Sequence, residues 1–248
     1  MENEKLTSKY SDQEELINRL QKELHLKTQC LSLIAHDFVG INRNIMWILD
    51  ALEKGIITQE IFSNMLPELK SGTLTNQKTI DSTIAWVNSQ RVDFIPNNIE
   101  IKSLTLFDSI RNNLTNEFQK KNIDFSYEGD HNQTIISDAV LINFILNKLV
   151  ENAIKYSYDG GHIFFRIFPT SFNTINLIIE DNGMGMNEQV RKNLFTLNGS
   201  PYLGTANEKG AGFSLIVVKD IADLLGISIE IISSENNGTK IELIIPHT

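Results

Sequence analysis

The spacing of the apolar residues changes partway along the chain, and this change limits the folds that the chain can adopt. From Leu31 to Leu52 the apolar residues recur every three or four positions, which is the period of an amphipathic helix. Beyond residues 92–98, short β-rich runs alternate with apolar helical stretches. We therefore expect an α+β protein in two parts: a helical part over residues 1–95 and a layered α/β sandwich over residues 96–248.

The helical part is predicted to form a hairpin. Leucines spaced by four over residues 16–24 indicate a coiled-coil lead-in, a first long helix is expected to end at Gly55, and a second helix is expected over residues 58–91. Because two helices alone bury little apolar surface, we expect two such antiparallel hairpins to pair into a dimeric four-helix bundle. The alternative is a hairpin packed on the rest of its own chain. Candidate core positions of the second helix are Ile61, Met65, Leu69, Ile80, Ile84 and Val87.

The sandwich part contains the remaining predicted elements. Residues 195–210 are rich in Gly, Asn and Ser and are expected to form a long loop. Helices are expected over residues 103–121, 139–156 and 213–225, and strands over residues 123–127, 134–136, 163–168, 175–180, 227–232 and 239–245.

The charge balance excludes several classes of partner. The chain carries 22 Lys plus Arg against 31 Asp plus Glu, whereas nucleic-acid and anionic-membrane surfaces need clustered cations. Its one cysteine, Cys30, rules out an internal disulfide and a Cys-rich zinc site. No uncharged apolar run approaches the ~20 residues that span a bilayer, and the first residues lack the apolar core of a signal peptide. We expect a cytoplasmic protein with no membrane segment and no nucleic-acid partner.

Two glycine-containing motifs of the sandwich part are candidates for ligand binding. The run from Glu180 to Met186 follows an apolar strand, and an Asp that leaves a strand into such a turn can present its carboxylate to a ligand. Gly210 and Gly212 precede an apolar helix, whose N-terminal N–H groups favour phosphate. Taken singly, the first motif is also typical of an ordinary turn and the second of a flexible loop that enters a helix.

A third motif lies on the last turns of the predicted helix over residues 139–156. Asn152, Lys155 and Tyr156 share its polar side and its end. An Asn amide oxygen suits Mg²⁺, a Lys one turn later can reach phosphate, and a Tyr can cover a purine ring. On its own, this set is more typical of a solvated helix face.

The order of these motifs resembles the ATP-binding domain of the GHKL (Bergerat) superfamily and, within it, the catalytic domain of sensor histidine kinases. Asn-x-x-Lys precedes Asp-x-Gly-x-Gly, then a glycine-containing loop, then Asn-Gly-Thr before the last strand. The resemblance implies that Asn152 carries Mg²⁺ and that Asp181 accepts a hydrogen bond from the adenine amino group of ATP. The implied cofactor-binding residues are Asn152, Lys155, Tyr156, Asp181, Gly183, Gly185, Gly210, Gly212 and Thr239.

The helical part contains a candidate phosphate acceptor. At about 100° per residue, His36 lies about 170° from the centre of the apolar stripe, so its side chain is predicted to project away from the bundle core. Asp37 follows it, as in the His-Glu or His-Asp pair of the family. An unperturbed imidazole pKa of about 6.5 leaves the ring mostly neutral and nucleophilic above pH 7. Asp37 would hold or deprotonate the ring.

The resemblance implies an ATP-dependent protein-histidine kinase that phosphorylates itself on His36 and transfers the phosphoryl group to an aspartate of a response-regulator receiver domain. It implies a homodimer that receives its signal from an upstream sensor domain or protein. The alternative is a catalytically weak or inactive dimer scaffold or phosphotransfer module of the same family. A chaperone- or topoisomerase-type ATPase is disfavoured because Lys148 occupies the position of the general-base Glu.

Three positions depart from the family pattern. Gly40 stands where the family often has Thr or Asn, so we expect weak or absent phosphatase activity towards a phosphorylated partner. Lys148 stands where the family commonly has Asn or an acidic residue; its cation could help nucleotide binding or could replace a polar group needed for catalysis. Ser214 replaces a usual glycine and still permits a helix start.

Overall fold

The chain consists of two compact units, Met1–Ile80 and Asp81–Thr248. The computed structural model describes residues 13, 17, 28, 45–89, 94–170, 173–196, 204–206 and 214–246. In these ranges no helix combines the length and the apolar character needed to cross a membrane. The boundary near residue 95, expected from the change in apolar spacing, stays a prediction.

The described part of the first unit contains one helix and most of a second, joined by a tight turn. Helix α1 covers residues 45–53, and α2 (Gln59–Ser89) begins after residues 54–58. Gly55 adopts a φ of +68°, in the left-handed region that favours glycine. The amides of Ile56 and Ile57 both donate to the Ala51 carbonyl, at 2.8 and 3.2 Å. The predicted end of the first helix at Gly55 is therefore confirmed, while its predicted start lies outside the described residues.

Helix α2 nearly matches its predicted span and continues through Pro67. Its predicted core positions Ile61, Ile84 and Val87 are nevertheless exposed in the single chain, at 47%, 53% and 42%. The core role predicted for them requires a second hairpin that covers this surface.

The second unit is an α/β sandwich with two sheets. A small sheet pairs β1 with β3 antiparallel, and a larger sheet has the order β2-β4-β5-β7-β6, in which the β2–β4 pair is parallel and the other pairs are antiparallel. The helices are α3 (Ser103–Asn113), α4 (Thr115–Lys120), α5 (Ala139–Tyr156), α6 (Glu188–Lys192) and α7 (Ser214–Leu224). The strands are β1 (Asn98–Lys102), β2 (Asp124–Glu128), β3 (Thr134–Asp138), β4 (His162–Pro169), β5 (Thr174–Asp181), β6 (Ser228–Ser233) and β7 (Thr239–Pro246).

The core lies between the helices and one face of the larger sheet. Along β4, Ile163, Phe165 and Ile167 are buried and alternate with partly exposed residues, as expected for a strand with one covered face. Helix α5 crosses this core, with nine buried residues. The Asp138 carboxylate caps its first turn by accepting from the amides of Val140 and Leu141 at 3.0 and 3.1 Å. This cap fixes the helix that carries the Asn-x-x-Lys motif.

The prediction of one helix over residues 103–121 is wrong. The helix breaks at Leu114, where φ is −110° and ψ is 19°. After this break, the Thr115 hydroxyl donates to the Arg111 carbonyl at 2.8 Å and so satisfies an acceptor at the end of α3. The sequence analysis also missed β1, of which only Ile101 is buried, and the short helix α6.

Candidate functional site

A cavity of about 470 Å³ lies beside the C-terminal half of α5 and the adjoining ends of β5 and β7. Its volume is within the range of ~300–1,000 Å³ that is typical of small-molecule sites. Leu149, Ile179 and Ile241 provide apolar walls. The other described lining residues are Asn152, Ala153, Tyr156, Tyr158, Asp181, Met184, Gly185, Met186, Asn187, Gln189, Val190, Asn193, Leu194, Thr196, Leu215, Glu235, Asn236 and Thr239.

Asp181 is the last residue of β5, and it lines this cavity although it is only 8% exposed. Its Oδ1 accepts from the Gly183 amide at 2.9 Å. Burial raises the pKa of Asp181 to about 6, although hydrogen bonds from the backbone N–H groups of Gly183 and Thr239 oppose this rise. A buried carboxylate with free acceptor capacity is suited to receive a hydrogen bond from an amine or amide donor of a ligand.

Main-chain hydrogen bonds join the segments around Asp181. The Met184 amide donates to the Tyr156 carbonyl at 3.0 Å, which ties the turn after β5 to the end of α5. The Gly238 amide donates to the Gly183 carbonyl at 3.0 Å, and the Asn236 amide donates to the Met184 carbonyl at 2.7 Å. Three motifs that are far apart in sequence thus meet at one end of the sheet.

Gly183 and Gly185 have a steric reason to be glycine. A Cβ on Gly183 would lie 2.3 Å from the Tyr156 carbonyl oxygen. A Cβ on Gly185, where φ is +63°, would lie 1.9 Å from the Ser234 carbonyl oxygen. Because both obstacles are backbone atoms, the turn can approach its neighbours only without side chains at these positions.

Asn152 contributes an unsatisfied amide to the cavity wall. Its Nδ2 is buried and has no hydrogen-bond partner among the residues that the structure describes. Leaving such a group unpaired costs about 1–3 kcal/mol. A ligand oxygen that accepts a hydrogen bond from the Asn152 Nδ2 would remove this cost.

Of the other predicted residues of this region, Tyr156 and Thr239 line the same cavity, whereas Lys155 and Gly183 are not among its described lining residues. The Lys155 Nζ lies 4.9 Å from the centre of the Tyr156 ring. Thr239 begins β7 directly opposite Asp181 in the β5–β7 register, and its hydroxyl is 2.9 Å from the Ser233 Oγ. Lys148 is not among the described lining residues; its Nζ lies 2.8 Å from the Glu151 Oε2, one turn along α5.

Four predicted site residues, His36, Asp37, Gly210 and Gly212, lie outside the described residues, as does Gly40. Their roles stay predictions.

The sequence analysis missed the part of the wall that α6 and the β6–β7 turn provide. Gln189 and Val190 of α6 line the cavity, as do Glu235 and Asn236 of the turn. Asn187 caps α6 by accepting from the Val190 amide at 2.9 Å, so an Asn followed by Glu at a helix start was a usable signal.

The cavity residues fit ATP and Mg²⁺. The buried Asp181 can accept from the adenine amino group, and the apolar walls can cover the ring. Asn152 offers a hard oxygen ligand, and Mg²⁺ usually takes few protein ligands because phosphate and water oxygens complete its octahedron. No cluster of three or more His, Cys, Asp or Glu able to hold a metal occurs in the described ranges.

Comparisons with known proteins agree with this assignment. Residues 137–248 match the family described as "Histidine kinase-, DNA gyrase B-, and HSP90-like ATPase". The sensor protein CiaH of Streptococcus pneumoniae is 29% identical over 120 residues, which cover 48% of this chain and 27% of CiaH. The ArcB homolog of Haemophilus influenzae, an aerobic respiration control sensor protein, is 26% identical over 221 residues, which cover 85% of this chain and 64% of that protein. The chain thus spans less than two thirds of each of these relatives.

A solved structure shares the fold. Histidine kinase ThkA, crystallised in complex with response regulator protein TrrA, matches with a TM-score of 0.57 and 21% identity, covering 97% of this chain and 66% of ThkA. Residues 137–248 therefore match the histidine kinase-, DNA gyrase B- and HSP90-like ATPase family, in a chain that is similar in sequence to proteins named sensor proteins.

Proposed function

We propose that this protein is an ATP-dependent protein-histidine kinase that phosphorylates His36 and passes the phosphoryl group to an aspartate of a response regulator. The observation that carries the proposal is the convergence of the Asp181 carboxylate and the Asn152 side-chain amide on one cavity of an ATPase-family domain. Such a site needs two polar groups: a carboxylate that accepts a hydrogen bond from the adenine amino group, and an amide oxygen that can bind the metal.

The residues divide the work as follows. ATP would supply the phosphoryl group and, with Mg²⁺ bound, a neutralised leaving group. Asp181 would orient the adenine ring of ATP through a hydrogen bond, and the Asn152 side-chain oxygen would hold Mg²⁺. Lys155 would add positive charge near the end of α5. Neutral His36 is the nucleophile, and Asp37 holds the ring or takes its proton.

We propose further that the protein acts as a homodimer through a four-helix bundle. Exposed apolar side chains on the first unit support this assembly: Met46 and Trp47 on α1 are 58% and 61% exposed, and Ile61 on α2 is 47% exposed. Pairing of two helical hairpins would cover such residues. The response-regulator partner is supported by the relatives named sensor proteins and by the shared fold of ThkA.

The test is incubation with γ-labelled ATP and Mg²⁺. We expect acid-labile, alkali-stable label that disappears in His36→Gln and in Asp181→Asn. His131→Gln, which alters an exposed histidine of the second unit, is the matched control and should keep the label.

Two outcomes would count against the proposal. Label that persists in His36→Gln would show that another residue is the acceptor. Normal nucleotide binding with no label in the wild-type protein would favour the inactive scaffold or phosphotransfer module.

A further inference from the structure

The Lys121 ammonium group joins the end of α5 to the segment over residues 204–206. Its Nζ donates to the carbonyls of Ile154 and Lys155 at 3.0 and 2.8 Å, and lies 3.4 Å from the Ser157 carbonyl. It also lies 2.9 Å from the Thr205 Oγ1. A helix C-terminus exposes carbonyls with partial negative charge, so a cation placed there satisfies otherwise unpaired acceptors.

Thr205 makes its own bonds to the same helix end. Its amide donates to the Lys155 carbonyl at 3.2 Å, and its hydroxyl donates to the Ser157 carbonyl at 2.5 Å. Lys121 and Thr205 therefore share two acceptors and contact each other, which forms one closed network.

Backbone contacts hold Lys121 in place. Its carbonyl accepts from the Gly160 amide at 2.9 Å, and the following Asn122 side chain donates to the Asp159 carboxylate at 2.9 Å. These contacts anchor the main chain at and after Lys121 beside the segment that follows α5.

The carbonyl groups of this network belong to residues next in sequence to residues that line the cavity. Tyr156 and Tyr158, which line the cavity, flank the Ser157 carbonyl that the network uses. Asn152 is one turn earlier on the same helix. A shift of the last turn of α5 would move all three lining residues.

We propose that Lys121 is a positioning residue of the nucleotide site: with Thr205 it locks the last turn of α5 in the orientation that binds nucleotide. This inference rests on the proposed function, because the ligand whose affinity it controls is the nucleotide. Lys121 itself does not touch the ligand.

The experiment measures the affinity of a fluorescent ADP analogue with Mg²⁺ and the thermal stability of the same proteins. Lys121→Met and Thr205→Val should each weaken binding about tenfold, or ~1.4 kcal/mol, as expected for a lost bond to a charged group. Thr205→Ser keeps the hydroxyl and should bind within about twofold of wild type. Because the two residues act through one network, their effects should not add. The double variant should bind the ADP analogue about as tightly as whichever single variant has the lower affinity.

Lys120→Met is the matched control, because Lys120 is the adjacent, exposed lysine at the end of α4. It should leave the affinity unchanged. Affinities within about twofold of wild type for both Lys121→Met and Thr205→Val, or losses that multiply in the double variant, would overturn the inference.

Failure of the proposed function is distinguishable from failure of the inference. If the wild-type protein binds no nucleotide, the proposed function fails. Amide exchange without nucleotide then tests the lock itself: faster exchange over residues 154–158 in Lys121→Met and Thr205→Val, with Lys120→Met unchanged, supports it. Unchanged exchange refutes it.

Discussion

Replacing Asp181 by Asn should raise the free energy of unfolding of the nucleotide-free protein. The same replacement should abolish nucleotide binding. Burial raises the pKa of Asp181 from 3.8 to about 6, so the folded state holds this carboxylate at a cost. At about 1.4 kcal/mol per pH unit, the rise corresponds to ~3 kcal/mol of lost stability above pH 6. The side-chain oxygen of the Asp181→Asn variant would still accept from the Gly183 amide, and the side chain would carry no charge, so the gain should reach up to ~3 kcal/mol.

The sign of the pH dependence makes this prediction specific. Because the folded-state pKa is raised, the folded protein binds the proton more tightly, and this group's contribution to stability falls as the pH rises from 3.8 to 6. The stability difference between Asp181→Asn and wild type should therefore be near zero at the acidic end of this window and full above it.

Urea unfolding at several pH values measures this difference. Glu100→Gln, which neutralises an exposed carboxylate on β1, is the control and should show no comparable pH-dependent gain. A stability difference that does not change with pH, or a variant less stable than wild type above pH 6, would refute the reasoning. Nucleotide affinity should move the opposite way: it should fall as the pH drops below about 6, because protonation removes acceptor capacity from the Asp181 carboxyl.

Three further predictions concern the cavity wall and α5. Gly185→Ala should lower the free energy of unfolding in urea by more than ~3 kcal/mol, because the new Cβ meets backbone atoms. Gly160→Ala, at a similar φ of +73° but in open space, should lower it by only ~1–2 kcal/mol. Equal losses would contradict the steric argument. Asn152→Ala should make nucleotide affinity insensitive to chelation of Mg²⁺, and an unchanged response to Mg²⁺ in a titration would remove Asn152 as the metal ligand. Lys148→Met should change the unfolding free energy by less than ~1 kcal/mol, because the pair with Glu151 is partly exposed, and it should leave nucleotide affinity within about twofold; a larger loss would place its cation at the ligand.

The elements that follow from sequence alone are those with a strong local signal. Helix α5 was predicted at its observed bounds because its apolar residues follow a helical period, and in the structure the Asp138 carboxylate caps its first turn. The central strands were predicted to within two residues because one buried face imposes alternation.

The misses have identifiable physical causes. The break at Leu114 falls within an apolar stripe that runs from Leu106 to Phe118, so the helical period does not reveal it. Strand β1 has only one buried side chain, so its identity comes from pairing with β3, a non-local interaction. The Lys121–Thr205 contact joins residues 84 positions apart and has no sequence motif.

The main-chain hydrogen bonds that join Tyr156, Gly183 and Gly238 determine which fragments of the domain can bind a ligand. These bonds use main-chain N–H and C=O groups, so they depend on the path of the chain. The close approach that they need is possible because residues 183 and 185 are glycines. A truncated fragment that ends before β6 would keep Asp181 and Asn152 in its sequence but would lose the carbonyls and amides of the β6–β7 turn that brace them. We therefore expect such a fragment to show no nucleotide binding, not even weak binding. Adding β6 and β7 as a separate peptide should restore nucleotide binding in a single step.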